Sequence, residues 1–148
     1  MILLNQRDYP MTTLGNSTVT IARGGCLITD LSMFSHWYGK YRSPDWMAKN
    51  LRFTEQGYLY WKSIDDADLP FNFEYRYYKR DDKKIKDILY SEDNACVLQV
   101  NNGLHWVALV GYSKIYGYRI ADPYYGDIVY LKKRYPNITG FAEVSRRY

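Results

Sequence analysis

At Asp93-Asn94 the hydrophobic period of this chain changes, and the change limits its possible folds more than any other feature. Before that point apolar residues recur at helical spacing. After it come short runs of Val, Ile, Leu and Tyr split by turn signals. Ala95–Val100, Trp106–Tyr112, Tyr116–Ala121 and Asp127–Leu131 read as strands. They are separated by Asn101-Asn102-Gly103, Ser113-Lys114 and Pro123-Tyr124-Tyr125-Gly126, and Gly140–Val144 is a candidate fifth. Helices first and an antiparallel sheet after is the α+β pattern. The 148 residues contain no repeat, low-complexity stretch or linker, so residues 1–148 are expected to form a single domain with a full core.

The helical half reads in pieces. The first 25 residues look loop-like, with Tyr9-Pro10, Gly15-Asn16 and Gly24-Gly25 as turn punctuation. A mostly buried helix starts at or just before Cys26, carries Leu27, Leu31, Phe34 and Tyr38 on one face, and ends at Gly39. Ser43 caps a second helix, Trp46–Leu51, with Pro44 in its first turn. Asp81-Asp82 opens a third, with Ile85, Ile88 and Leu89 as its apolar stripe, while Thr54–Trp61 has no clear period.

Composition excludes whole classes. Hydrophobic types at 47% and charged types at 24% are incompatible with a disordered chain. No stretch approaches the ~20 apolar residues of a membrane span. Met1–Arg7 lacks a basic region followed by an apolar run, so no secretory signal is expected. Such a chain is cytoplasmic as made, and is released by lysis or carried on a virion if it acts outside the cell. The net charge of +4 favours anionic partners without naming one. Tyrosine, at 17 against 5 Phe and 4 Trp, puts a hydroxyl on much of the apolar mass.

With two His and two Cys, the chemistry can be weighed residue by residue. Cys26 follows two glycines at a helix start, where the dipole and free N–H groups favour a thiolate; a buried structural thiol is the plainer reading. His105 heads one strand, and Asp122 ends the next, held extended by Pro123. The midpoint between them falls in the Ser113-Lys114 turn, so a hairpin would set them directly opposite, Cβ atoms roughly 4.5–5.5 Å apart. A carboxylate there fixes the imidazole tautomer and leaves the other nitrogen free as a base. His36, well along the helix, reads as structural, and Cys96 as a buried free thiol, with a Cys26–Cys96 disulfide as the alternative. These Cys and His positions lack the paired spacings of zinc motifs, and neither a metal nor a cofactor is expected. The basic-aromatic segment Tyr75–Arg80 with Lys83, Lys84 and Lys86 is interrupted by Asp81, Asp82 and Asp87; it reads as a solvated face, and no nucleic-acid partner is expected.

Gln6-Arg7-Asp8-Tyr9-Pro10, Gly25-Cys26 through Met33, His105-Trp106 through Tyr112 and Ala121-Asp122-Pro123 through Gly126 resemble the C39-like branch of the papain-like cysteine peptidases. The resemblance runs from Gln6 to about Leu131. It implies a papain-like fold in which Cys26 is the nucleophile, His105 its base, Asp122 the residue orienting the histidine, and Gln6 part of the oxyanion hole. Many relatives carry small residues where this chain has Leu27 and Ile28. Tyr9, Trp106, Tyr124 and Tyr125 flank those positions and are the expected substrate-binding wall. The implied activity is cleavage of peptide bonds through a thioester, on a peptide or on peptidoglycan, as in a bacterial or phage wall hydrolase. A papain-like module that binds peptide without cutting it, or an acyl-transferring relative, are the alternatives.

Overall fold

The computed structural model describes residues 1–148. A short 3-10 helix at Gln6–Asp8 is followed by helices α1 (Ile21–Gly24), α2 (Cys26–Trp37), α3 (Pro44–Asn50) and α4 (Ser63–Asp66). Strand β1 (Phe71–Tyr77) and helix α5 (Asp82–Tyr90) precede β2 (Asn94–Val100), β3 (His105–Ser113), β4 (Gly117–Asp122), β5 (Asp127–Tyr130), a 3-10 turn at Leu131–Lys133 and β6 (Ile138–Arg146). All pairings are antiparallel, in the order β1-β6-β2-β3-β4-β5. No helix is long and apolar enough to cross a membrane.

Strand alternation sorts the core onto two faces. Ala95, Val97, Ala108, Ala121, Ala142 and Val144 pack with Ile28, Leu31, Met33 and Phe34 of α2. Four of these six sheet residues are alanines, and such small side chains let a helix lie close. Cys96, Leu98, Val107, Leu109, Ile120 and Phe141 face the other way, onto Ile85 and Ile88 of α5. With the sheet on one side and α1 and α3 on the other, α2 is buried over most of its circumference, which explains why its apolar residues are not confined to one face.

Three expectations need correction. The first 25 residues are not all loop, because Asn5 caps the 3-10 helix and Thr20 caps α1 through their side chains. The sheet has six strands, the additional one being β1; its residues Phe71–Tyr77 pair with β6, and helical or aromatic-patch readings of this segment hid it. The β3–β4 hairpin also turns later than Ser113-Lys114. Ser113 Oγ accepts from the N–H groups of Ile115 and Tyr116, both at 3.2 Å, and Gly117 takes φ +79, so the turn spans three residues. With a bulge at Val110, the register pairs Ala108 with Ala121. His105 and Asp122 are therefore diagonal neighbours on one side of the hairpin and do not sit directly opposite.

Candidate active site

β3 begins and β4 finishes at the same end of the sheet, and the start of α2 abuts that end. There Gln6, Cys26, His105, Trp106, Tyr124 and Tyr125 line one cavity of about 530 Å³. Tyr9, expected in the same wall, is not among its lining residues. It is half-buried against the core and interacts with Tyr41 and Asp45.

Gly25 makes the position of Cys26 possible. A Cβ there would lie 2.6 to 2.7 Å from Ile21 side-chain and backbone atoms, so only glycine lets α1 run directly into α2. The N–H groups of Cys26, Leu27 and Ile28 have no backbone acceptor, as at any helix start. Those of Trp106, Leu27 and Cys26 itself pull the thiol pKa down, but burial and the Asp30 carboxyl outweigh them and push it up to about 12. The helix start was expected to favour thiolate; in this closed site it does not, because desolvation exceeds what the N–H groups return. Cys96 is pushed up further by burial. Both cysteines are free and buried, and Cys96 faces α5 across the sheet from α2, which removes the disulfide alternative.

His105 Nε2 lies 2.8 Å from Asp122 Oδ1, with the histidine 9% and the aspartate 1% exposed. Asp122 also accepts from the Tyr124 N–H at 3.0 Å, the Tyr135 hydroxyl at 2.6 Å and Arg134 Nη1 at 3.1 Å. Burial alone would raise the Asp122 pKa; the bonds from His105, Tyr135 and Tyr124 reverse this and hold it below its ordinary value. An ionised Asp122 accepts a proton bond from Nε2, so Nδ1 is the nitrogen left basic. Tyr124 and Tyr135 meet the imidazole with centroids at 6.5 and 5.5 Å, which fixes the ring plane.

The Asp122-to-Gly126 element also fastens Gln6. Gly126 N–H donates to Asp122 O at 2.8 Å, and its φ of +69 and the approach of Asn5 to 3.0 Å from its Cβ position both require glycine. Gln6 N–H donates to Pro123 O at 2.7 Å, and its Nε2 donates to Ala22 O at 3.2 Å. The second amide hydrogen is unpartnered, in a side chain 2% exposed.

Sequence reasoning missed the other wall and the supports. Leu14, Val19, Phe53 and Leu59 form an apolar lobe of the cavity, brought there by a small bridge between Phe53 and Leu59. Trp106 is braced by Trp61, centroids 5.4 Å apart, and by Arg76 over its ring at 4.8 Å. Arg134 and Tyr135 follow β5 with no local motif. Asp30, a turn beyond Cys26, is fully buried with both oxygens unpaired, and nothing in its sequence context sets it apart. His36 is exposed at the far end of α2, edge-on to Tyr41.

No family model matches the chain, and no curated protein matches it in sequence. Among solved structures it is similar to a double glycine motif protease from an AMS/PCAT transporter, crystallised in complex with the leader peptide. That match has a TM-score of 0.65 at 17% identity, and covers 99% of this chain and 91% of the other. The chain has the α+β papain-like fold of a C39 peptidase domain, the fold its sequence resemblance implies.

Proposed function

We propose that the protein is a cysteine peptidase working by a Cys26–His105–Asp122 mechanism. The observation that carries this reading is the His105 Nε2–Asp122 pair at 2.8 Å, opening on the same cavity as the Cys26 sulfur. Because the resting Cys26 thiol is protonated, His105 Nδ1 takes its proton as the sulfur attacks the substrate carbonyl carbon. The carbonyl oxygen becomes an oxyanion, held by the Cys26 N–H and the free amide hydrogen of Gln6. The His105 imidazolium, steadied by Asp122, returns the proton to the leaving nitrogen as the C–N bond breaks, which leaves a thioester. Water, deprotonated by His105, then releases the acid and restores the thiol.

Peptides of a bacterial wall are the substrate class we propose, on the strength of the +4 charge and the aromatic wall of Trp106, Tyr124 and Tyr125. The solved neighbour is described with a leader peptide, which places a peptide ligand on this fold in another protein. The test is digestion of purified walls and of mixed peptides by wild type and by Cys26→Ala. New amino groups with wild type alone support the mechanism, and an acyl adduct on Cys26 in intact-mass spectra fixes the nucleophile. New reducing ends would overturn it, since sugar-bond cleavage ordinarily uses a carboxylate pair. Cleaved peptides with intact walls would remove the wall assignment alone. Binding without cleavage by wild type would favour the non-catalytic module, and transfer of the acyl group to an added amine would favour the transferase.

A further inference from the structure

Every arginine except Arg7, Arg23 and Arg119 places its guanidinium in a hydrogen bond or ion pair within the chain. Two of these three stand at the cleft. Arg23 lines it, three residues before Cys26, with only Gly24 and Gly25 between. Arg7 follows Gln6 and lies over the rings of Tyr124 and Tyr125, at 4.6 and 5.6 Å. Their segments are tied together: Gln6 Nε2 donates to Ala22 O at 3.2 Å and Ala22 N–H to Tyr9 O at 3.1 Å.

The cavity holds no compensating charge. None of its lining residues is Asp or Glu, and the other lining cation, Arg134, is already bonded to Asp122 and to both oxygens of Asp127. A single exposed arginine is normally just solvated. Two on hydrogen-bonded segments beside one cysteine, Arg23 lining a cleft without carboxylates and Arg7 stacked on two of its wall tyrosines, suit a planar anion. Stacking on Tyr124 and Tyr125 restrains the Arg7 side chain and lowers the entropy cost of using it.

We propose that the cleft selects acidic peptides, with a substrate Asp or Glu near the scissile bond pairing with Arg23 and Arg7. The placement beside a scissile bond rests on the peptidase reading; the preference for an anion does not. Cys26→Ala protein is titrated by fluorescence anisotropy with three end-capped degenerate peptide pools, identical except for a fixed central Glu, Gln or Lys. The Glu pool should bind about tenfold tighter than the Lys pool, with Gln between, and the margin should shrink in salt. Arg23→Gln and Arg7→Gln, added separately, should weaken the Glu pool and leave the Gln pool within about twofold. Arg23→Glu should shift the preference toward Lys. Equal affinities, a Lys preference in the unmodified cleft, or no measurable binding of any pool would overturn the proposal. Wild-type hydrolysis of the same pools separates the two readings. A Glu preference with every pool uncut keeps the anion subsite and removes the peptidase, whereas cleavage with no charge preference does the reverse.

Discussion

Replacing Asp30 with Asn tests whether a neutral acid lies behind the cleft. Asp30 is fully buried with neither oxygen hydrogen-bonded, and burial first, then the charge of Asp122, hold its carboxyl well above the ordinary 3.8. The titratable groups on α1, α3, β2 and β3, the elements with most contact to α2, are Arg23, Asp45, Lys49, Cys96, His105 and Tyr112, with Asp122 at the end of β4. Among them the charge coupled to Asp30 is that of Asp122; on α2 itself, Asp30 couples to Cys26. A folded pKa above the unfolded one means that the stabilising contribution is complete below the unfolded value. It is lost as pH rises toward the folded value. Over that window the unfolded chain releases a proton that the folded chain keeps, at about 1.4 kcal/mol per pH unit. Asn matches the shape of the protonated acid and cannot ionise. Urea unfolding of both proteins, at pH steps from about 3.5 to 8, should give curves that run together in acid. Above about pH 4 they should diverge, with Asp30→Asn gaining at that slope before a plateau. Parallel curves throughout would refute a buried neutral Asp30.

Iodoacetamide labelling of Cys26 should rise about tenfold per pH unit between about pH 7 and 10, because its thiol is pushed up to about 12; mass spectrometry showing a plateau near pH 6 would contradict this. Cys96 should label more slowly at every pH. Asp122→Asn should lower kcat/KM about 10²- to 10⁴-fold with little change in KM, as the His105 tautomer is lost; an unchanged kcat would free Asp122 of that role. The same change strips Arg134 and Tyr135 of a buried partner, and calorimetry should show a loss of about 3–5 kcal/mol. Gly25→Ala drives a Cβ to within 2.6 to 2.7 Å of Ile21 and should cost about 1–3 kcal/mol together with most activity. A fully active, equally stable Gly25→Ala protein would show that the α1–α2 junction can shift.

What was legible in the sequence had local causes. The Asn101-Asn102-Gly103 turn needs three consecutive positive φ values, and Asn and Gly are the residues that accept them. Ser43-Pro44 announced α3, and Asp81 caps α5 through the Lys84 N–H, as its position suggested. Cys26, His105 and Asp122 stood out because each sits at an element terminus marked by Gly or Pro. The exact hairpin register was not legible, because a bulge at Val110 and a three-residue turn offset the pairing together, and neither leaves a pattern in composition. β1 was hidden because its burial does not alternate cleanly, a consequence of its place at the sheet edge. The apolar lobe, Arg134 and Tyr135 reach the cleft only through tertiary folding. The closed environment that raises the Cys26 pKa has the same origin, and a helix-start argument cannot contain it.

The two thiols lie in different layers, one at the start of the helix packed on the sheet and the other beneath α5 on the opposite side. Cys26 borders the cavity and meets a reagent through it, whereas Cys96, 1% exposed, meets one only when its cover lifts. The molecule thus carries a built-in clock with its own reference. Alkylation followed cysteine by cysteine in native buffer times the release of α5 at Cys96, against direct entry to the cavity at Cys26. A Cys96 rate equal to that of global unfolding would mean the fold opens as a unit, and a faster one would mean the α5 layer loosens first.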